Sequence, residues 1–299
     1  MYNQIAANKR KTWFLILIVV AVIIGLSALY GVIQGIDPTG TIIVGTMIAS
    51  VHALISYFLA DKIALASTGA KAIKKQDSPE LWNMVENLCM ANGQPMPAIY
   101  VINDDSPNAF ATGRDPEHAS IAFTTGILRI LDKQELEGVT AHELSHVKNY
   151  DIRVMTIVVV LVGAIMLLAD IMLRTMRFGG RRDDRSGGAV AILALVGIVL
   201  ALLSPLFAQL LQLAVSRSRE YLADASGALL TRYPEGLAQA LEKISASAQP
   251  MQKANHATAH LFIANPFGKN GKQRSTLANL FSTHPPIQER IDRLRNMGL

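Results

Sequence analysis

The sequence predicts an α-helical membrane protein in which two separate polar stretches fold into one α+β domain. The 299-residue chain is 51% hydrophobic and only 17% charged, whereas an ordinary soluble domain has about 25% charged residues. Its mean hydropathy is positive, at +0.29. About four apolar segments have roughly the 20 residues that a membrane-spanning helix requires. The polar stretches mix helical periodicity with short runs of β-branched and aromatic residues, which indicates an α+β domain.

The four apolar segments group into two hairpins. They cover residues 13–33, 41–60, 154–173 and 189–215. The domain organisation predicted from them is an N-terminal transmembrane hairpin (1–61), a first part of the polar domain (62–153), a second transmembrane hairpin (154–215) and a second part of the polar domain (216–299). The polar domain is therefore one unit interrupted by a hairpin.

The distribution of basic residues predicts the orientation in the membrane. The linker 34–40 has no Lys or Arg, while both flanks of the first hairpin are basic. The positive-inside rule then places the N-terminus and residue 62 onward in the cytoplasm. The second hairpin has an arginine-rich linker at 174–188, so it either crosses fully or is re-entrant. In both cases the two polar stretches lie on the same side.

Charge and cysteine content exclude some function classes. The net charge is +5 and the sequence pI is about 9.3, but the basic residues flank apolar segments and no nucleic-acid-binding motif accompanies them. We therefore expect contact with a lipid bilayer and not with nucleic acid. The single cysteine, Cys89, allows neither an internal disulfide nor a cysteine-based zinc site. The sequence leaves the oligomeric state open.

Local patterns predict the main elements of the polar domain. An Asp132…Glu135 pair matches a capping box and predicts the start of a helix. Helices are also predicted at 78–90, with Ser78 as N-cap, at 234–245 and at 286–295. Short strands are predicted at 98–102, 108–112 and 119–124.

The helix that begins near Asp132 contains the sequence HELSH. His142 and His146 are four residues apart and therefore lie on one helical face, where both imidazoles can bind the same metal ion. Glu143 is rotated by about 100° from His142 and can act as a general base toward water. This combination is typical of zinc peptidases.

Zinc needs a third protein ligand and an open position. Glu220 and Asp224, which follow the fourth apolar segment, are also four residues apart. We expect Glu220 to complete a His-His-Glu set and Asp224 to accept a hydrogen bond from a ligand imidazole. The alternative is a solvated helix face on which Arg217 and Arg219 pair with these acids.

Other polar residues are weaker candidates. Asp151 is assigned a structural role near the helix end. His256 and His260 repeat the four-residue spacing without an adjacent base, so we interpret them as surface or core histidines. His284 precedes a helix and either has a local structural role or stabilises the oxyanion of a tetrahedral intermediate.

Several motifs resemble those of the HtpX heat-shock membrane proteases, which are relatives of the CAAX prenyl zinc proteases. The motifs are HELSHVKNYD, SREYLAD, NAFATG at 108–113, LFIANPF at 261–267 and STHPPIQERI at 282–291. The resemblance implies a zincin-like (gluzincin) catalytic domain attached to membrane helices. It also implies one Zn²⁺ per chain bound by His142, His146 and Glu220, with Glu143 as the catalytic base.

The resemblance also suggests residues that contact the substrate. Asn108, Ala109 and Phe110 are similar to an edge strand that pairs with the substrate backbone, although NAFATG also fits an ordinary core strand. His284 matches a histidine of the family's HPP motif, which favours a role in the transition state. Arg217 matches a family arginine in spacing only, so its role stays open.

The function predicted from the residues and the resemblance is that of a multi-pass zinc metalloendopeptidase of the bacterial inner membrane. Its active site faces the cytoplasm, and its substrates are misfolded or damaged membrane proteins in a stress response. A prenyl protease is a second possibility, but its larger relatives enclose a chamber with more membrane spans. A non-catalytic scaffold is a third, and the intact Glu143 argues against it.

Overall fold

The computed structural model describes residues 2–35, 37–160, 217–247, 249–253, 257–267 and 285–298. The chain begins with two long antiparallel helices, α1 (Tyr2–Gln34) and α2 (Pro38–Phe58). Asp37 caps α2 by accepting a hydrogen bond from the Thr39 amide, and Pro38 occupies the first turn. The two helices pack closely because Gly45 faces Ser27, and a Cβ at Gly45 would collide with that side chain.

The surface of this hairpin is apolar and exposed. Its largest exposed side chains include Trp13, Phe14, Leu17, Ile43, Val44, Met47, Ile48, Val51 and Leu54. A continuous apolar surface of this kind is expected to contact lipid. Among the described residues, α2 is the one helix that is both long enough and apolar enough to cross a membrane.

The prediction of four membrane segments is therefore not confirmed by the described residues. The predicted segment 41–60 runs past the end of α2, since the chain bends at Leu59 and a separate helix, α3 (Ala60–Thr68), begins. The helix α7 (151–160) includes the start of the third predicted segment. Its residues Val154 and Val158 are buried against Leu15 of α1, so this part packs inside the protein. The rest of that segment and the whole of 189–215 lie outside the described residues.

The polar domain contains a four-stranded mixed sheet. The strands are β1 (Lys71–Ala72), β2 (Ala98–Ile102), β3 (Ala109–Gly113) and β4 (Ala119–Thr124), in the spatial order β1-β2-β4-β3. The central pair β2–β4 is parallel, and the two outer pairs are antiparallel. The predictions for β2 and β4 are confirmed, and β3 is shifted by one residue from the predicted 108–112. The two-residue β1 was not predicted because it is too short to show alternation.

Helices from both polar stretches pack with this sheet into one domain. They are α4 (Pro79–Asn92), α5 (Thr125–Ile130), α6 (Lys133–Lys148), α8 (Arg217–Thr231), α9 (Pro234–Ala246) and α10 (Ile287–Arg295). The predicted Ser78 cap precedes α4, but its side chain makes no capping hydrogen bond. Helix α6 packs against α8 and α9, and α9 packs against α10. The second polar stretch thus folds onto the first, and α6 lies at the centre of their contact.

Candidate metal centre

The HELSH sequence lies on the last turns of α6. The capping box is present: the Asp132 side chain accepts from the Glu135 amide, and the Glu135 side chain accepts from the Asp132 amide. This fixes the start of the helix. His142, Glu143 and His146 are then buried between the sheet and α8, at 1%, 3% and 4% exposed.

The structure brings His142, His146 and Glu220 together. The Nε2 atoms of the two histidines are 3.2 Å apart. Glu220 places Oε1 at 3.4 Å from His146 Nε2 and Oε2 at 3.9 Å from His142 Nε2. Among the described residues, this is the group of His, Cys, Asp and Glu side chains whose ligand atoms converge for a metal.

These distances fit a tetrahedral zinc site. With zinc–ligand bonds of roughly 2.0–2.2 Å, neighbouring ligand atoms of a tetrahedron are about 3.3–3.6 Å apart. The observed separations of 3.2, 3.4 and 3.9 Å need little adjustment. Three protein ligands also leave one position open, which is the arrangement of a catalytic site.

Each histidine is oriented by a carboxylate on its other ring nitrogen. His142 Nδ1 is 2.9 Å from Asp224 Oδ1, as expected from the sequence, and His146 Nδ1 is 3.1 Å from Asp151 Oδ2. A carboxylate can only accept here, so Nδ1 carries the proton and Nε2 is left to bind a metal. Asp151, assigned a structural role from the sequence, is thus the partner of the second histidine.

The electrostatics of the two histidines differ. Burial lowers the pKa of His142, and its contact with Asp224 does not fully offset this. Burial also acts to lower the pKa of His146, but the carboxylates of Asp151 and Glu220 outweigh it and hold the pKa well above its usual value. The carboxylates of Asp151 and Glu220 therefore favour a positive charge beside His146, and a bound metal cation would supply one.

Glu143 lies beside the ligands on the side of the sheet. It accepts a hydrogen bond from the Ala111 amide of β3. Burial, aided by the nearby Glu220 charge, raises the pKa of its carboxyl to about 7. An acid with a pKa near neutrality both accepts and returns a proton readily, as a general acid–base catalyst must.

Helix α8 approaches α6 closely enough to deliver its two carboxylates. Gly227 makes this possible, because a Cβ there would be only 3.0 Å from the His142 backbone nitrogen. Glu220 and Asp224 are 2% and 4% exposed. The alternative of a solvated acidic face is therefore wrong, and Arg219 Nη1 lies 3.4 Å from Asp151 Oδ1.

The sequence model of the family described as "Peptidase family M48" matches residues 75–298. This range includes the HELSH helix and the α8 residues Glu220 and Asp224. The chain belongs to peptidase family M48. This membership makes it a metalloprotease, as the motif at 142–146 predicts.

Proteins named "Protease HtpX homolog" are similar to this M48 member over its full length. The one from Tropheryma whipplei (strain Twist) is 47% identical over 298 residues, which cover 100% of this chain and 99% of the relative. The one from Dictyoglomus thermophilum is 47% identical over 299 residues, with 99% and 95% covered. The predicted resemblance to HtpX proteases is thereby confirmed, and with the exposed apolar hairpin it indicates a membrane protein.

A solved structure shares the fold. The crystal structure of S. mikatae Ste24p matches with a TM-score of 0.51 at 18% identity, covering 98% of this chain and 67% of that chain. The likeness therefore extends over the hairpin as well as the M48 domain.

The NAFATG strand of this M48 protein does not present a free edge at its start. Ile263 N donates to Ala109 O at 3.0 Å, and Asn108 Nδ2 donates to Ala264 O at 3.0 Å. Phe110 packs edge-to-face on Phe262, with ring centroids 5.1 Å apart. A substrate can pair with the Ala109 carbonyl only where the segment 261–264 is displaced, and the backbone of Asn108 is already hydrogen-bonded to Thr124.

The remaining predicted residues have diverse positions. Arg217 is exposed at the start of α8, near Tyr221 and Glu289. His284 and His256 lie outside the described residues. His260 is a core histidine, as predicted, and its Nε2 is 2.8 Å from the Met155 carbonyl oxygen of α7.

Sequence reasoning missed Arg290, the largest fully buried side chain of the described residues. Its guanidinium holds both oxygens of Asp224, at 2.8 and 2.7 Å, and Nη1 is 3.5 Å from Glu220 Oε2. Burial alone would raise the pKa of Asp224, but Arg290 and His142 lower it to about 2. A signal existed in the sequence: Arg290 is three residues after Ile287 and four before Leu294, on the apolar face of α10.

Proposed function

We propose that this protein is a zinc-dependent endopeptidase of the bacterial inner membrane, which hydrolyses misfolded or damaged membrane proteins at the cytoplasmic face. The observation that carries the proposal is the buried convergence of His142, His146 and Glu220 beside Glu143. Membership of family M48 and the bacterial HtpX homologues support it. The basic flanks of the first hairpin support the cytoplasmic orientation.

The residues of the site have separate roles in this proposal. His142, His146 and Glu220 hold the zinc, and Asp224 and Asp151 keep the imidazoles in the ligand tautomer. A zinc ion bound by these residues would supply Lewis acidity, which would polarise the peptide carbonyl and make an attacking water acidic enough to lose a proton near neutral pH. Glu143 accepts that proton and passes it to the leaving amine, as a general acid–base residue does.

The substrate backbone is proposed to run along β3, next to Glu143. Ala109 and Phe110 begin this strand and Asn108 directly precedes it, so substrate pairing here would displace the segment 261–264; the Ala111 amide donates to the Glu143 carboxylate. His284 is proposed to stabilise the oxyanion. Arg217, exposed at the start of α8, is proposed to contact an incoming chain.

The position of the metal centre explains why membrane proteins are the proposed substrates. Helix α7 starts at residue 151, five residues after His146, and packs against α1 of the apolar hairpin. The ligands therefore lie where helices pass from the polar domain to the apolar surface. A chain that leaves the bilayer meets the metal without diffusing through water.

Metal removal tests the proposal in proteoliposomes that contain the purified protein and a destabilised helical membrane protein. We expect cleavage in loops on the side of the polar domain, a fall of at least about 100-fold after chelation, and recovery with zinc. The folded form of the same membrane protein is the control and should be cut far more slowly. Cleavage that persists in zinc-free protein, or that is confined to soluble proteins, would refute the proposal.

A further inference from the structure

The N-terminal helix reaches the metal centre through one side chain. Asn8 of α1 is 3% exposed, and its Nδ2 donates to Asp151 Oδ1 at 2.8 Å and to the Asn149 carbonyl oxygen at 2.9 Å. The other oxygen of Asp151 accepts from His146 Nδ1 at 3.1 Å. The carboxylate of Asp151 thus connects α1 of the apolar hairpin to the proposed metal ligand His146.

These contacts lie at a constrained turn between α6 and α7. Tyr150 has a φ of +60°, a conformation that costs an ordinary L-residue roughly 1–2 kcal/mol. Asn8 bonds the residues on both sides of Tyr150, and Lys9 Nζ lies 4.6 Å from the centre of its ring. Helix α1 therefore holds the turn in the form that directs Asp151 toward His146.

Asp151 has competing partners, which makes the donor from α1 important. Arg219 Nη1 is 3.4 Å from the same Oδ1 atom that Asn8 contacts. Without the amide of Asn8, the 3.4 Å contact with Arg219 would draw the carboxylate toward α8 and away from His146. The Asn8 amide thus keeps the Asp151 carboxylate in place between α1 and α8.

We propose that Asn8 is a positioning residue of the metal centre, which fixes Asp151 and thereby the imidazole of His146. The N-terminal helix α1, whose Trp13 is exposed on the apolar hairpin five residues after Asn8, is then a structural part of the zinc site. This inference rests on the zinc site proposed above.

The test is the zinc affinity of full-length protein in detergent, measured by competition with a chromophoric chelator. Asn8→Ala should weaken zinc binding about tenfold, the low end for residues that orient metal ligands. Asn8→Asp should weaken it further, because it places a second negative charge beside Asp151. The matched control is Thr12→Val: Thr12 is fully buried one turn later on α1, and its Oγ1 has no hydrogen-bond partner within the described part of the chain.

A double-mutant cycle separates this role from simple docking of the helix. Asp151→Ala should itself weaken zinc binding, and adding Asn8→Ala should weaken it no further, because Asn8 acts through Asp151. Asn8→Ser is measured in parallel in case the alanine variant does not fold. Zinc affinity within twofold of wild type for the Asn8 variants, an equal loss in Thr12→Val, or additive losses in the double variant would overturn the role of Asn8. A wild type that binds no zinc would instead overturn the proposed metal site, and this inference with it.

Discussion

Replacing Glu143 with glutamine is expected to reduce peptide hydrolysis by about 10²–10⁴-fold, the contribution typical of a general acid–base residue. Glutamine keeps the size and the hydrogen bond from Ala111 but cannot accept a proton. Because Glu143 is not one of the three converging ligand residues, the variant should keep its zinc. Initial cleavage rates at saturating zinc measure the effect. A variant that retains more than a tenth of the wild-type rate would show that another group accepts the proton.

Two controls ensure that this loss is chemical and not structural. Glu137→Gln makes the same change on α6 at a half-buried position and should leave the rate unchanged.

In metal-free protein, Glu143→Gln should be no less stable than wild type. The pKa of Glu143 is raised from 4.5 to about 7, so the native state holds this proton more tightly than the unfolded state. The free energy of unfolding of the wild type therefore falls by up to about 3 kcal/mol as the pH rises from 4.5 to about 7. The glutamine variant does not titrate here and should not show this fall.

Arg290→Met is expected to destabilise the polar domain by about 3–5 kcal/mol, measured as denaturant unfolding of metal-free protein. Arg290 is fully buried and holds Asp224 in a bidentate pair, with Glu220 also within 3.5 Å. Methionine fills a similar volume, but it leaves the buried carboxylate of Asp224 without its arginine and removes one of the cations near Glu220. This uncompensated charge causes the loss, and it should also impair the orientation of His142 by Asp224.

Helix α10 offers a matched control for this substitution. Arg295→Met removes an arginine that pairs with Glu235 and Glu242 at the surface, where solvent screens the pairs, so it should destabilise the protein far less than Arg290→Met does. Adding Asp224→Asn to Arg290→Met should recover part of the stability, because one of the stranded charges is removed. Equal effects of the two arginine substitutions would contradict the importance assigned to the buried pair.

The parts of the site that depend on local pattern could be predicted from the sequence. The capping box that starts α6 spans four residues, and the pairs His142–His146 and Glu220–Asp224 follow from the helical repeat. The strands β2 and β4 were also predictable, since β-branched and aromatic residues mark both. In each case the physical cause lies within one turn or one strand.

The parts that depend on contacts between distant segments could not be predicted in the same way. Asn8 meets Asp151 only because α1 docks against the turn after α6, and no periodicity links the two. The pairing of Ile263 and Ala264 with the start of β3 likewise joins segments without a common pattern. Arg290 is an intermediate case, because its place on an apolar helix face was visible but its partners were not.

Zinc content is the most direct test of the central claim that His142, His146 and Glu220 jointly hold one ion. Purified wild type and Glu143→Gln should each contain about one zinc per chain, whereas Glu220→Gln should contain far less after dialysis against a weak chelator. A Glu220→Gln variant that still binds one zinc per chain with wild-type affinity would contradict the account.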